Sequence, residues 1–167
     1  MSRAIITFLV CLTLGASASH ANQGEERDKV RIAALRFLMT KHAEFGNERQ
    51  HYAYYVLRDV TYVKYFADFQ PPVVAFNEAR YPTSSGQAVD AVTGRPVKIW
   101  SIGGEKLERD SASVGISWYS GRKAGGLHVI FLKKKDGVWI AESERTDALS
   151  LKRADPEHYS TTHFARG

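Results

Sequence analysis

Cysteine is almost absent from this chain: Cys11 is the only one among 167 residues. It lies in an uncharged, largely apolar stretch, residues 4–14, which follows Arg3 and precedes a run of small residues. This order of positive charge, apolar stretch and small residues is typical of a cleaved export signal. The stretch is also shorter than the ~20 residues that a membrane-spanning helix needs. We therefore predict that residues 1–21 are a signal peptide.

The small residues that follow the apolar stretch locate the expected cleavage. Ser19 and Ala21 suit the two small-residue positions before a cut after Ala21, and Ala16 and Ala18 offer an alternative. Cleavage removes Cys11, so the mature chain has no disulfide, thiol nucleophile or thiolate metal ligand. Small exported eukaryotic domains usually carry disulfides, so we expect a bacterial protein that is periplasmic or secreted, with no stable membrane anchor after cleavage.

Motifs of nucleophilic and phosphate chemistry are also missing. The sequence contains no G-x-S-x-G elbow, no G-x-x-x-x-G-K-[ST] loop and no G-x-G-x-x-G after a strand. No two histidines of the mature chain have the helical spacing of a metal pair, so we expect no metal and no cofactor. The net charge of +5 is spread along the chain apart from residues 133–135, which argues against a nucleic-acid partner. These absences favour a protein that is not an enzyme.

The first half of the mature sequence begins with a helical pattern. Apolar residues recur at three- and four-residue steps through residues 25–45, which predicts one long amphipathic helix. Lys41 and His42 suit the negative end of its dipole, and Gly46 is a good terminator. Helical spacing also occurs in residues 62–69.

Turn residues divide the rest of the sequence into short β-rich runs. Asp136 and Gly137 lie between two such runs and predict a tight hairpin, and Gly103 with Gly104 predicts another turn. Residues 81–86 are expected to form a loop. The expected extended segments are residues 51–57, 73–76, 96–102, 112–119, 127–133 and 138–143.

The order of these elements predicts an α+β fold. We expect one long N-terminal helix packed on a curled antiparallel sheet of about 4–5 strands. A single domain would span residues 22–151, followed by a polar, flexible tail at residues 152–167. Residues 127–132 are apolar at every position except His128, which predicts a strand buried on both faces. Since one helix covers one face, we expect a pocket, a partner or a second copy on the other.

Several segments give the sequence a likeness to known proteins: FADF with PPVVAFNEA in residues 66–79, VDAVTGRP in residues 89–96, and ASVGISWYSG with GGLHVIFLKKKDGVWIAES in residues 112–143. In these segments the chain resembles small exported bacterial proteins with an N-terminal helix and a C-terminal β-meander, related in outline to the NTF2-like and cystatin-like folds. The resemblance implies the fold and supplies no shared catalytic motif.

Aromatic residues on neighbouring strands are the most suggestive candidate site. If Trp100, Tyr119 and Trp139 share the face turned away from the helix, they form a patch that holds a protein partner or a second copy of the chain, as in immunity or inhibitor proteins. The alternative is an NTF2-like pocket near His128 that binds a small molecule or acts as an enzyme, with His128 or Asp90 as acid or base. The structural interpretation is that the aromatic rings fill the core and that His128 is an ordinary sheet histidine.

Overall fold

The computed structural model describes residues 3–44, 48–79, 88–121 and 124–147, with side chains described for residues 23–44 and from Gln50 onward. The loop predicted at residues 81–86 and the tail predicted at residues 152–167 lie outside these ranges.

One long helix, α1, spans Arg3–Glu44 and is followed by a short helix, α2, at Glu48–His51. The amphipathic pattern predicted for residues 25–45 is confirmed as far as Glu44, and its apolar stripe is the buried side of the helix. That stripe consists of Val30, Ala34, Leu35, Leu38, Met39 and Ala43. Within the described part of the chain, no helix is long and apolar enough to cross a membrane.

Six strands form one open, mixed sheet in the order β2-β1-β3-β4-β5-β6. The α+β class is confirmed, but the expected antiparallel sheet of about 4–5 strands is wrong. The first strand is parallel to both of its neighbours, and the other pairings are antiparallel. The strands are β1 Tyr55–Leu57, β2 Val73–Ala75, β3 Lys98–Leu107, β4 Ser111–Gly121, β5 Ala124–Lys135 and β6 Val138–Asp147.

The connection from β1 to β2 explains the parallel pairing. A 3-10 helix, Val60–Phe66, stands where residues 62–69 were expected to be helical, and it buries Tyr62 and Phe66. The chain thus passes over one face of the sheet, where Tyr62 and Phe66 join the core, and returns in the same direction, as parallel strands require. All three residues of β1 are buried, because this strand lies between two others.

Two predicted turns have different outcomes. Asp136 and Gly137 have φ angles of 51° and 82° and join β5 to β6, so this hairpin is confirmed. Gly103 and Gly104 are not a turn, because β3 continues through them with a bulge between Ile102 and Glu105. An added Cβ at Gly103 would lie 3.4 Å from the carbonyl oxygen of Gly115 on β4, which is an ordinary van der Waals contact.

The two faces of the sheet have different covers. Helix α1 and the 3-10 helix cover the first face, where most of the core lies. On the opposite face, Ala79 and Ala88 with Val97 pack over Val56 of β1 and Ile99 of β3.

Strand β5 is buried on one face only, so the prediction of burial on both is wrong. His128, Ile130 and Leu132 are buried on the helix side. Phe131, which points the other way, is 39% exposed. Of the two alternating sets of residues in this strand, only the set that faces the helix is therefore fully buried.

Candidate functional site

The three aromatic residues expected to form one outer patch do not share a face. Trp100 is fully buried and Trp139 is 6% exposed, and both belong to the core beneath the helices. Tyr119 is half-buried on the opposite face, beside Val56 and Ile99. The prediction that these three residues form one exposed aromatic patch is therefore wrong.

Polar partners explain why Trp139 faces the helix. Its indole Nε1 donates to Glu26 Oε2 at 3.1 Å, and Lys134 Nζ pairs with the same carboxylate oxygen. Hydrogen bonds from Lys134 and then Trp139 lower the pKa of Glu26 to about 2. A tryptophan whose indole N–H has an acceptor on the helix side gains more there than on a surface that offers no acceptor.

His128 lies at the helix–sheet interface on β5 and is 7% exposed. Trp118 of β4 donates its indole N–H to Nε2 of this histidine at 3.2 Å. With Nε2 accepting, a neutral ring carries its proton on Nδ1, which lies 3.3 Å from the hydroxyl of Thr146 on β6. Both ring nitrogens are thus engaged by neighbouring strands.

His42, in the last turn of α1, brings the helix into contact with this part of the sheet. Its ring makes edge contacts with Trp100, Trp118 and His128, at centroid distances of 5.2, 5.6 and 5.4 Å respectively. The helix end therefore places a second imidazole directly beside His128.

Lys98, the first residue of β3, is the least expected member of this group because its side chain is fully buried. Its Nζ lies 2.9 Å from Nδ1 of His42 and 4.2 Å from the ring centroid of Trp118. The rings of Trp100 and Tyr52 are also close, with centroids at 5.1 and 5.3 Å. Fully buried lysines are rare in folded proteins. We call His42, Tyr52, Lys98, Trp100, Trp118 and His128 together the Lys98 cluster.

The Lys98 cluster contains a buried donor with no hydrogen-bond partner. Among the described residues, two buried side-chain polar atoms have no hydrogen-bond partner: the donor Nε1 of Trp100 and the acceptor Oε2 of Glu144. Glu144 lies on β6 two residues before Thr146, which is the pairing partner of His128. Its other carboxylate oxygen, Oε1, forms an ion pair with Lys41. An unsatisfied buried donor costs about 1–3 kcal/mol, so a binding partner for Trp100 Nε1 would gain that energy.

Burial and charged groups of both signs act on the pKa of His128. Burial lowers the pKa of His128 below its ordinary value, and the nearby His42 acts in the same direction. Lys98 and Lys41 also lower this pKa, and Glu144 opposes them. The lowered pKa favours the neutral form of His128.

Gly126 of β5 leaves room for the contact between Trp118 and His128. A Cβ added there would lie 2.8 Å from Trp118 Nε1 and 3.3 Å from His128 Nε2. The backbone of Gly126 has no positive φ angle, so the need for glycine is one of space. This role of Gly126 was not identified from the sequence.

Asp90, the other acid considered from sequence, is a turn residue. Its Oδ2 accepts from the hydroxyl of Thr93 at 2.6 Å and from the backbone N–H of Thr93 at 2.8 Å. The hydroxyl bond is the main cause that lowers the pKa of Asp90. The turn belongs to the segment whose Ala88 and Val97 cover the opposite face of the sheet. Asp90 and His128 are therefore on different sides of the sheet.

Two surface clefts formed by described residues lie away from the Lys98 cluster. One of about 420 Å³ is lined by Glu26, Lys134, Trp139 and Arg109, and one of about 290 Å³ has Phe131 in its lining. Within the described ranges, no three histidine, cysteine or acidic residues are grouped as a metal site would need.

Comparisons with protein families, curated proteins and solved structures find no match to the chain.

Proposed function

We propose that this chain is an exported, NTF2-like binding protein that holds a small molecule at the Lys98 cluster and catalyses no reaction. The unsatisfied indole donor of Trp100 is the observation that carries the proposal. A buried donor without a partner costs energy unless an acceptor reaches it, and a ligand can supply that acceptor.

The surrounding residues support a binding site at this position. Lys98 and the imidazole of His42 add polar groups beside Trp100, and Trp118 adds an aromatic wall. Small-molecule sites typically combine apolar and aromatic walls with a few polar groups in this way. His42 and Trp118 are half-buried, so a ligand that approaches from solvent meets them first.

The alternative of a partner-binding aromatic face has less support. It required exposed rings at Trp100 and Trp139, and both are buried beneath the helices. A binding role for these residues toward a protein would need the helix to leave the sheet.

A ligand screen with one matched variant tests the proposed site. The mature protein is examined by native mass spectrometry for a co-purified compound and by thermal unfolding against a panel of small metabolites. A ligand at ~100 times its Kd stabilises the folded state by about 2.7 kcal/mol. We expect this stabilisation in the wild-type protein and its loss in Lys98→Met, which keeps the apolar stem and removes the amine.

Lys106→Met is the control, because Lys106 is an exposed lysine on the same strand. It should bind as the wild type does. Equal stabilisation of wild type and Lys98→Met would place the ligand elsewhere. If no compound adds mass or raises the unfolding temperature, the proposed function is wrong.

Export is tested separately on the full chain. After expression in a bacterium, N-terminal sequencing of the protein from the cell envelope should begin at Asn22. A chain that keeps Met1, or that stays in the cytoplasm, would contradict the predicted cleavage.

A further inference from the structure

We propose that His128 is a proton-driven switch, which exchanges Trp118 for Glu144 as its hydrogen-bond partner when the pH falls. The exchange belongs to the protein without any ligand, so it does not depend on the proposed function. Three observations carry it. Nε2 of His128 already accepts an indole N–H, and the ring is buried. A carboxylate oxygen on the next strand has no hydrogen-bond partner among the described residues.

The hydrogen bond from Trp118 fixes the protonation state of His128 in this structure. An indole nitrogen only donates, so Nε2 of His128, which lies 3.2 Å from Trp118 Nε1, carries no proton. The imidazolium form has a proton on both ring nitrogens. A flip of the ring would present the other protonated nitrogen, so it would not restore an acceptor. Uptake of a proton therefore breaks the bond to Trp118 and turns the ring away from the indole.

Burial gives the protonated ring a need for a new acceptor. His128 is 7% exposed, and a buried charge is costly unless it is paired. The hydroxyl of Thr146, 3.3 Å from Nδ1, is an acceptor for one N–H of the imidazolium. The second N–H, released from Trp118, has to find another acceptor. A carboxylate is the best one, because it supplies both a lone pair and a compensating charge.

Glu144 is the carboxylate placed to do this. In the pairing of β5 with β6 it stands opposite Ile130, two residues along from His128. Glu144 is therefore a diagonal neighbour of His128 across the two strands. Its Oε1 pairs with Lys41 of α1, so the side chain points to the helix side, where His128 also lies. Its Oε2 is the buried acceptor without a partner. An imidazolium that donates to Oε2 satisfies both groups.

The other groups around His128 set the pH range of the exchange. Burial is the main cause that lowers the pKa of His128, and His42 and Lys41 of α1 and Lys98 of β3 act in the same direction. Glu144 of β6 raises this pKa, and β4 contributes only the neutral indole. The exchange should therefore proceed below about pH 6.5, the ordinary pKa of histidine. The proton comes from solvent, and no covalent bond other than N–H forms.

NMR of the mature protein, with nitrogen-15 in tryptophan and histidine, tests the exchange in the wild type. At neutral pH the indole N–H of Trp118 should show scalar coupling to Nε2 of His128. This coupling should disappear with the same midpoint as the protonation of His128. A crystal structure determined one pH unit below that midpoint should show a nitrogen of the ring about 3 Å from Oε2 of Glu144.

Glu144→Gln removes the anionic acceptor and keeps the shape of the side chain. The midpoint of His128 protonation should fall by about one pH unit, which is a tenfold weaker binding of the proton. Glu142→Gln is the control, because Glu142 is an exposed glutamate of the same strand that pairs with Lys135. Its midpoint should equal that of the wild type. Lys41→Met breaks the ion pair of Glu144 but keeps the acceptor, so the exchange should persist.

An indole–imidazole coupling that persists after His128 is protonated would overturn the inference. So would a protonated ring that stays out of hydrogen-bond reach of Glu144, or the same midpoint in wild type and Glu144→Gln. None of these measurements uses a ligand, so their failure leaves the proposed function standing, and a failed ligand screen leaves the switch standing.

Discussion

Replacement of Gly126 by alanine perturbs the candidate site with a single methyl group. The new Cβ would lie 2.8 Å from Nε1 of Trp118, closer than real Cβ contacts allow. The obstacle is a rigid indole ring, so Trp118 or the backbone of β5 must move. Either movement separates Trp118 Nε1 from His128 Nε2, which are now 3.2 Å apart.

The size of the effect follows from three contributions. Loss of the hydrogen bond costs about 1 kcal/mol, and overpacking in a closely packed region costs about 1–3 kcal/mol. Replacing glycine by alanine restricts the unfolded chain and returns about 0.4–1 kcal/mol. The free energy of unfolding should therefore fall by about 1–3 kcal/mol, which lowers the unfolding temperature by roughly 2–12 °C at about 2–4 °C per kcal/mol in a domain of this size.

Urea and thermal unfolding measure this change, and an NMR titration of His128 gives a local readout. The indole N–H of Trp118 donates to Nε2, which favours the neutral imidazole, so its loss should raise the pKa of His128. Gly104→Ala is the matched control, because a Cβ at Gly104 meets nothing within 4 Å. Equal stability of the Gly126→Ala and Gly104→Ala proteins, with the same His128 titration, would refute the reasoning.

Two further predictions concern the dependence of stability on pH. Hydrogen bonds from Lys134 and Trp139 lower the pKa of Glu26 from 4.5 to about 2. These interactions with the ionised carboxylate therefore stabilise the fold above about pH 4.5. This contribution is lost as the pH falls from about 4.5 to 2, and solvent contact limits it to about 1–2 kcal/mol. In acid unfolding experiments, the Glu26→Gln protein should not show this loss of stability. The lowered pKa of His128 means that the unfolded chain binds more protons. Stability should therefore decrease as the pH falls below about 6.5 and level off below the folded pKa. His128→Asn should flatten this slope in unfolding experiments, and an unchanged slope would contradict the assignment.

Local patterns predicted the elements that depend on neighbouring residues. The three- and four-residue spacing of apolar side chains identified the helix that ends at Glu44, because one helical face must be buried. The Asp136–Gly137 hairpin was equally clear, because its two positive φ angles favour these residue types. The Gly103–Gly104 pair gave the wrong prediction, since glycine serves a bulge as readily as a turn.

Local sequence patterns could not predict whether neighbouring strands run parallel or antiparallel. Val73–Ala75 was expected to be extended, and it is, but nothing in its residues states that it runs parallel to β1. That direction depends on how the chain between the two strands crosses the sheet. A meander assumed from sequence order therefore gave the wrong pairing for the first strands.

The candidate site was only partly accessible from sequence. His128 was recognised, and the period-two alternation of β3 places Lys98 on the same face as Trp100, a signal that was available and not used. His42 was interpreted only as a favourable charge at the helix end. Its contact with His128 joins residues far apart in sequence, so no local pattern contains it.

The sequence by itself determined that this chain pairs a long amphipathic helix with β-strands. Tertiary structure alone decided which face of β3 meets the helix. Period two divides the residues of a strand between two faces, but it does not say which face is covered. Packing of α1 made that choice: it buried Trp100 and Lys98 together beneath His42, and it turned an expected surface patch into an internal cluster.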